Sequence, residues 1–360
     1  MAAYTTVKKP TDYFNTVKWT GDGTSSRNIT GVGFQPDWTW IKCTDENYDH
    51  NIFNSTLGAN KYMLTNSNAA EVTVSNRLNS WNADGFNIGD ATNVNKGSPA
   101  RNYAAFNWKA NGATGSSNSN GATASTVSAD TTRGFSIVKW TGTGSDTTVG
   151  HGLSSAPQMY VVKNRDTTSD WRVAQTIGPT SYRMTTGNGH YMEWNDPKAS
   201  TNPGGAVMWG STPTAPTNQV FTVGSNNSVN KSGDDMMAYC FHSVRGYSKI
   251  AYYVGTGDND GAFIYTGFKP AWLIVKRLNG SANWIMFSNK VDGYNVDNGE
   301  FTVNSNSTVN DGQTYQYIDF CATGFKWREN SNNKNSDGDI FMYMAFAEEP
   351  LIGDNPATAR

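Results

Sequence analysis

Pro36-Asp37-Trp38-Thr39-Trp40-Ile41-Lys42 is echoed by Pro157-Gln158-Met159-Tyr160-Val161-Val162-Lys163 and then by Pro270-Ala271-Trp272-Leu273-Ile274-Val275-Lys276. Each copy opens on a proline, which suits a strand start because it has no N–H to give to a ladder, and closes on a lysine. Trp38/Trp40, Met159/Val161 and Trp272/Ile274 alternate as one apolar face, and Ile41, Val162 and Val275 make the opposite face apolar too. Side chains of a strand point to opposite faces in turn, so this pattern predicts a central strand covered on both sides.

The frame extends in both directions. Beyond the lysines come Asp49-His50, Asp170-Trp171 and Asn283-Trp284, read as polar hairpin loops. Upstream lie Val17-Lys18-Trp19-Thr20-Gly21, Val138-Lys139-Trp140-Thr141-Gly142 and Ala251-Tyr252-Tyr253-Val254-Gly255, each an opening strand that runs into a glycine-rich turn. Downstream, Gly85-Phe86, Val220-Phe221 and Gly324-Phe325 precede asparagine-glycine turns at Asn95, Asn230 and Asn335. The closing strands are Tyr103-Ala104-Ala105-Phe106, Ala238-Tyr239-Cys240-Phe241 and Tyr343-Met344-Ala345-Phe346. Landmarks in constant order, three times over, indicate a triplicated unit.

The expected fold is therefore all-β: three tandem homologous β-sandwich, jelly-roll-like domains with short terminal arms. The boundaries are an N-terminal arm 1–13, repeats at 14–110, 133–243 and 246–348, and a C-terminal arm 349–360. A Gly/Ser/Asn-rich stretch, 111–132, reads as a flexible linker or surface loop. Three small separate cores are expected, with the arms docking onto neighbours.

Composition agrees and excludes several classes. Only 16% of the residues are charged, against roughly 25% in an average domain. The 12 Trp, 17 Tyr and 16 Phe are too many for a disordered chain. A net charge of -2 argues against a phosphate-tracking nucleic-acid binder, and no apolar run is long enough for a membrane helix. The N-terminus lacks an apolar signal core, so synthesis without Sec export is expected. Cys43, Cys240 and Cys321 are too few and scattered for a disulfide framework.

No constellation for catalysis stands out, and no catalytic residue, metal or cofactor is assigned. His50, His151, His190 and His242 lack a triad context. The acid clusters at Asp45-Glu46 and at Glu193 near Asp196 do not recur between repeats, as a glycosidase pair confined to one copy would not either. Asp258-Asn259-Asp260-Gly261 and Asn335-Ser336-Asp337-Gly338-Asp339 resemble calcium loops but lack the spaced glutamate. Exposed aromatic rings can stack on sugars, so Tyr48, Trp81, Trp171, Trp194, Trp209 and Trp284 are the glycan-binding candidates. Lys42, Lys163 and Lys276 read as side chains that snorkel to solvent or pair with a local aspartate.

Phe34-x-Pro36-x-Trp38 and Phe268-x-Pro270-x-Trp272, with Tyr103-Ala104-Ala105-Phe106 and Tyr343-Met344-Ala345-Phe346, resemble a domain of marine bacteriophage virion proteins, often tail-fibre-like or lectin/glucanase-like. The ending from Phe346 to Ala357-Thr358-Ala359-Arg360 is similar to the endings of such proteins. The second copy departs, with Met159 where tryptophan is usual. The resemblance implies a virion component with other virion proteins as partners, a homo-oligomer, and host surface polysaccharide as a ligand; it supplies no catalytic residues. The alternatives are a capsid decoration protein without ligand, and a polysaccharide-degrading enzyme with carbohydrate-binding modules.

Overall fold

The structure, a computed structural model, describes residues 4–202, 207–293, 295–310, 317–354 and 356–357. The ladders between its strands are antiparallel, with one isolated parallel bridge between Thr123 and Val149, and the triplication of the sequence returns as a triplication of sheet order. In the first unit the opening strand Phe14–Thr20 pairs with the closing strand Asn102–Trp108. That strand pairs in turn with the proline-initiated strand Trp38–Cys43, which is followed outward by Asn51–Asn54 and Lys61–Leu64. The second unit repeats this order as Phe135–Thr141, Asp235–Phe241, Met159–Asn164, Arg172–Gln175 and Met192–Glu193. The third runs Ser248–Val254, Ile340–Pro350, Phe268–Arg277, Ile285–Ser288 and Phe301–Thr302. Register is kept as well: Trp38 stands opposite Trp108, Met159 opposite Phe241 and Trp272 opposite Phe346.

A smaller sheet packs on one face of each large one. The small sheets are Arg27–Ile29 with Gly85–Ile88 and Leu78–Asn82, Thr147–Gly150 with Val220–Val223, and Phe263–Tyr265 with Gly324–Trp327 and Ile318–Cys321. Side-chain alternation sorts the apolar residues between the two faces. Ile41 and Cys43 join Phe86 and Ile88 in a core of the first unit alone. Tyr160 and Val162 do the same with Phe221, and Leu273 and Val275 with Phe325.

The other face differs from expectation. Trp38 and Trp40, Met159 and Val161, and Trp272 and Ile274 all point into one continuous cluster shared by the three units. Separate cores account for only part of the packing, and the predicted picture of three small independent cores gives way to three outer cores around a common centre. The reason is stoichiometric. A strand apolar on both faces needs two covers, and one small sheet supplies only one.

The turns are tied by buried asparagines. Asn95 Oδ1 accepts from the Asp22 N–H, Asn230 Oδ1 from the Thr143 N–H and Asn335 Oδ1 from the Thr256 N–H. Their amide groups donate back to the Thr24, Ser145 and Asp258 carbonyls. Asn335 thus satisfies the backbone of the turn that resembled a calcium loop.

The stretch 111–132 is not the linker that its composition suggested. Ser116–Asn118 and Ser125–Asp130 are strands added to the open edge of the second large sheet, with Thr126 opposite Lys139 and Val127 opposite Val138. Val127 enters the second unit's own core. Serine and threonine tolerate a strand well once an edge offers a ladder, and composition alone cannot show that edge.

Both arms dock within the chain. Val7 is buried in the shared core, Tyr4 Oη donates to the Gly267 carbonyl at 2.7 Å, and the Asp354 N–H donates to the Lys8 carbonyl at 3.1 Å. The final residues 358–360 of the expected C-terminal arm lie outside the described residues.

Candidate functional site

Four of the six glycan candidates are interior. Trp171, Trp194 and Trp284 lie in the shared core and Trp209 in the second unit's own core, each with no exposed surface. Trp194 meets Trp40 edge-on at 5.4 Å, and Trp209 meets Tyr160 at 5.1 Å. As stacking platforms these four are withdrawn. The first three sit on segments that would face solvent in an isolated sandwich, but here those segments face the adjoining unit. Tyr48 and Trp81 remain half-exposed at the margin of the first unit's core, and Tyr48 Oη accepts a hydrogen bond from Lys96 Nζ at 3.0 Å.

The recurrent lysines are buried too, contrary to the expected snorkelling. Each ammonium donates to two backbone carbonyls, one from its own hairpin loop and one from a different unit. Lys42 reaches Glu46 and Asn306, Lys163 reaches Ser169 and Asn68, and Lys276 reaches Ala282 and Pro197. The hairpin-loop rings follow the same route. Trp171 Nε1 donates to the Leu64 carbonyl and Trp284 Nε1 to the Glu193 carbonyl, both at 2.8 Å. His50, the histidine in the tryptophan frame, is buried against the Thr302 and Ser305 backbone, and its Nδ1 accepts from Trp40 Nε1 at 3.0 Å.

A third set of bonds completes the pattern. The Val309 N–H donates to the Thr44 carbonyl, the Glu71 N–H to Arg165 and the Ser200 N–H to Leu278. Leu64, Glu193 and Thr302 are therefore matched positions. Asn68, Pro197 and Asn306 lie four residues later in every unit, and Glu71, Ser200 and Val309 seven later. The first unit grips the third, the second grips the first and the third grips the second. This is a head-to-tail contact that closes into a ring after three copies. Sequence reading missed this strap because its acceptors are backbone carbonyls, which every residue carries.

Burial pulls the Lys42 ammonium down to about 8 and those of Lys163 and Lys276 to about 7, while Asp49, Asp170 and Asp196 respectively hold them up in part. A lysine held below its free value of about 10.4 contributes stability that is present above that pH and lost as pH falls through the folded value. The gap in melting temperature between the wild type and Lys276→Met is therefore expected to shift in the wild type's favour as pH rises from about 7 to 10. Groups raised by burial oppose the lysines, Asp297 (about 8) below that pH and the thiols of Cys43 (about 11), Cys240 and Cys321 above it, so the comparison with Lys276→Met isolates one lysine. A gap that stays constant or shifts the other way in calorimetry would contradict the assignment.

The other titratable candidates are tied into structure. Glu193 is paired with Arg172 and with Lys198, which also reaches Asp196. Glu46 pairs with Arg101, and Asp45 accepts from the Asn102 backbone and side chain. Cys43 and Cys240 are buried and Cys321 half-buried, and all three are free thiols. Among the described residues no three His, Cys, Asp or Glu side chains are placed to hold a metal, and no helix is long and apolar enough to cross a membrane.

Depressions open to ligands lie near Lys269 and Glu348, between Asn68 and Asn227, and along the opening strands. A depression of about 400 Å³ is lined by Lys18, Trp19, Thr20, Asn102, Tyr103 and Val291. Its counterpart in the second unit, about 340 Å³, is lined by Lys139, Trp140, Thr141, Ser125, Arg165 and Asp235. In the third unit the same strand positions carry Tyr252 and Val254, which are exposed, and Phe263 and Tyr265 are exposed on the edge strand of the small sheet. The sequence held a signal for the first two: they replace the lysine and threonine of the other copies.

Residues 9–350 match the family described as Domain of unknown function (DUF7483). The chain belongs to the DUF7483 family. The match begins before the first opening strand and ends on Pro350, the last residue of the last closing strand, so the DUF7483 unit is the complete three-part ring rather than one repeat. No curated protein matches the DUF7483 chain.

Proposed function

We propose that this chain is a non-enzymatic structural protein of a bacteriophage virion, a tail fibre, tail appendage or capsid-surface component that binds host surface glycans. The observation that carries this reading is the closed ring. The lysines, which recur in all three copies, and the hairpin-loop Trp171 and Trp284 are spent on joining the units, which is what a building block requires. In this reading each unit is a homologous jelly-roll-like β-sandwich domain, the chain is made in the host cytoplasm, and it assembles with other virion proteins and copies of itself. Sugar rings would stack on Tyr48 and Trp81 and on the exposed Tyr252, Phe263 and Tyr265. A decoration protein without ligand is the second reading, favoured by the polar lining of the depression at Lys139, Arg165 and Asp235.

Labelling of intact particles with an antibody to the chain, imaged by electron microscopy, is expected to place it on the tail or the capsid surface. A soluble monomer that is absent from purified particles and turns over a glycan would overturn the proposal. On a glycan array, retained binding after Tyr252→Ala and Tyr265→Ala would remove the third unit as the sugar platform.

A further inference from the structure

We propose that the open edge of the third large sheet, at Tyr252 and Val254, receives an extended strand from a partner polypeptide. Strand addition is an established interface in this chain: the matched edge of the second unit already carries Ser125–Asp130 as an added antiparallel strand. Tyr252 takes the place of Lys139, which stands opposite Thr126, and Ala251 that of Val138, which stands opposite Val127.

The backbone of the third edge faces the right way. The Gly255 N–H donates to Asp339 beside the closing strand, whereas the Ile250 N–H turns away from that strand to the Ser243 hydroxyl. Alternation then points the polar groups of Tyr252 and Val254 outward, as in the second unit, where Lys139 and Ile137 pair with Thr126 and Ser128. Among the described residues no other strand pairs with this edge.

Comparison of the three edges narrows the choice. The first is blunted: Lys18 is exposed on it and donates to the Val291 carbonyl, and Arg27 donates to the Thr20 carbonyl. A charged, occupied edge resists pairing. The second is filled. The third alone is open and carries exposed Tyr252 and Val254. Beneath it Ala251 and Tyr253 are only partly buried, whereas Val138 in the covered unit is fully buried behind Val127. The partner strand therefore supplies a medium aliphatic residue opposite Ala251 and an uncharged, β-branched residue opposite Tyr252. Its main-chain hydrogen bonds give affinity, and the slot at Ala251 gives selectivity.

The test uses the full chain with a copy of its own residues 121–131 joined to the N-terminus by a flexible Gly/Ser linker. Tyr4, three residues from the point of attachment, is bonded at Gly267, close in the chain to Tyr265, whose carbonyl accepts from Lys249 of the same edge strand. Tethering raises the effective concentration to about the millimolar range, enough to reveal weak pairing. Amide exchange at Tyr252 and Val254 is expected to slow by about tenfold or more, and Tyr252→Lys with Val254→Lys should restore it without lowering the melting temperature. The free peptide at millimolar concentration should protect the same amides, which guards against a fusion that folds poorly. Unchanged exchange at both amides, or protection that survives the double substitution, would overturn the proposal. So would an untethered chain that sediments as a dimer with Tyr252 already protected, which would assign the edge to a second copy.

Discussion

Trp38→Ala is expected to lower the stability of the entire chain by about 3–5 kcal/mol, the range for removing a large buried aromatic side chain, and to do so in a single transition. Trp38 belongs to the first unit, yet its ring lies 4.8 Å from Tyr239 and 5.8 Å from Phe135, both of the second, as well as 4.4 Å from Trp108 of its own. Trp108 in turn packs edge-on against Trp272 of the third at 5.3 Å. A cavity at Trp38 therefore loosens contacts that belong to more than one unit. Calorimetry distinguishes a ring from beads on a string. The ring predicts one endotherm, shifted down, with calorimetric and van't Hoff enthalpies in agreement. An early peak for the first unit with the remaining transition unmoved would show that the units melt independently and that the common centre contributes little.

Lys276→Ala should cost about 2–5 kcal/mol, because it strips the donor from two carbonyls, one buried and one partly buried, and removes the packed stem. The carbonyls are those of Pro197 and Ala282, at 2.9 and 2.7 Å from the ammonium, and they belong to different units. Lys276→Met retains the stem and removes only the donor, so the difference between the two variants separates packing from hydrogen bonding. Urea titration should give a lower midpoint for both, with alanine the lower. The Ser200 N–H bond to the Leu278 carbonyl crosses the same seam, and its amide should exchange faster in both variants. Methionine matching the wild-type midpoint would mean that the two carbonyls find other donors and that the lysine is not the clasp of the seam.

The recurring strands could be read from the chain because the signals are local. Trp38-x-Trp40 and its copies announce a strand by alternation, the glycines at Gly21, Gly142 and Gly255 announce the turns, and three occurrences of each make coincidence untenable. The candidate sites were far less legible. Trp171 and Trp284 lie in polar loops, and a tryptophan in a polar loop looks like a ligand platform until the carbonyl it bonds is known. The stretch 111–132 failed for a related reason. Its low complexity describes what the segment would do alone, whereas Thr126 and Val127 are held by an edge that the rest of the second unit creates.

Residue order alone thus specified an all-β chain of three like units, since side-chain alternation, proline starts and glycine turns act over a few neighbouring residues. It also marked Lys42, Lys163 and Lys276 as special through their recurrence. Whether those lysines face water or a neighbour was settled only by folding in three dimensions, as was the merging of three inward faces into one aromatic centre. The partners are carbonyls at Asn306, Asn68 and Pro197, some 80 to 260 residues away in the chain, and a carbonyl group has no letter of its own in the sequence.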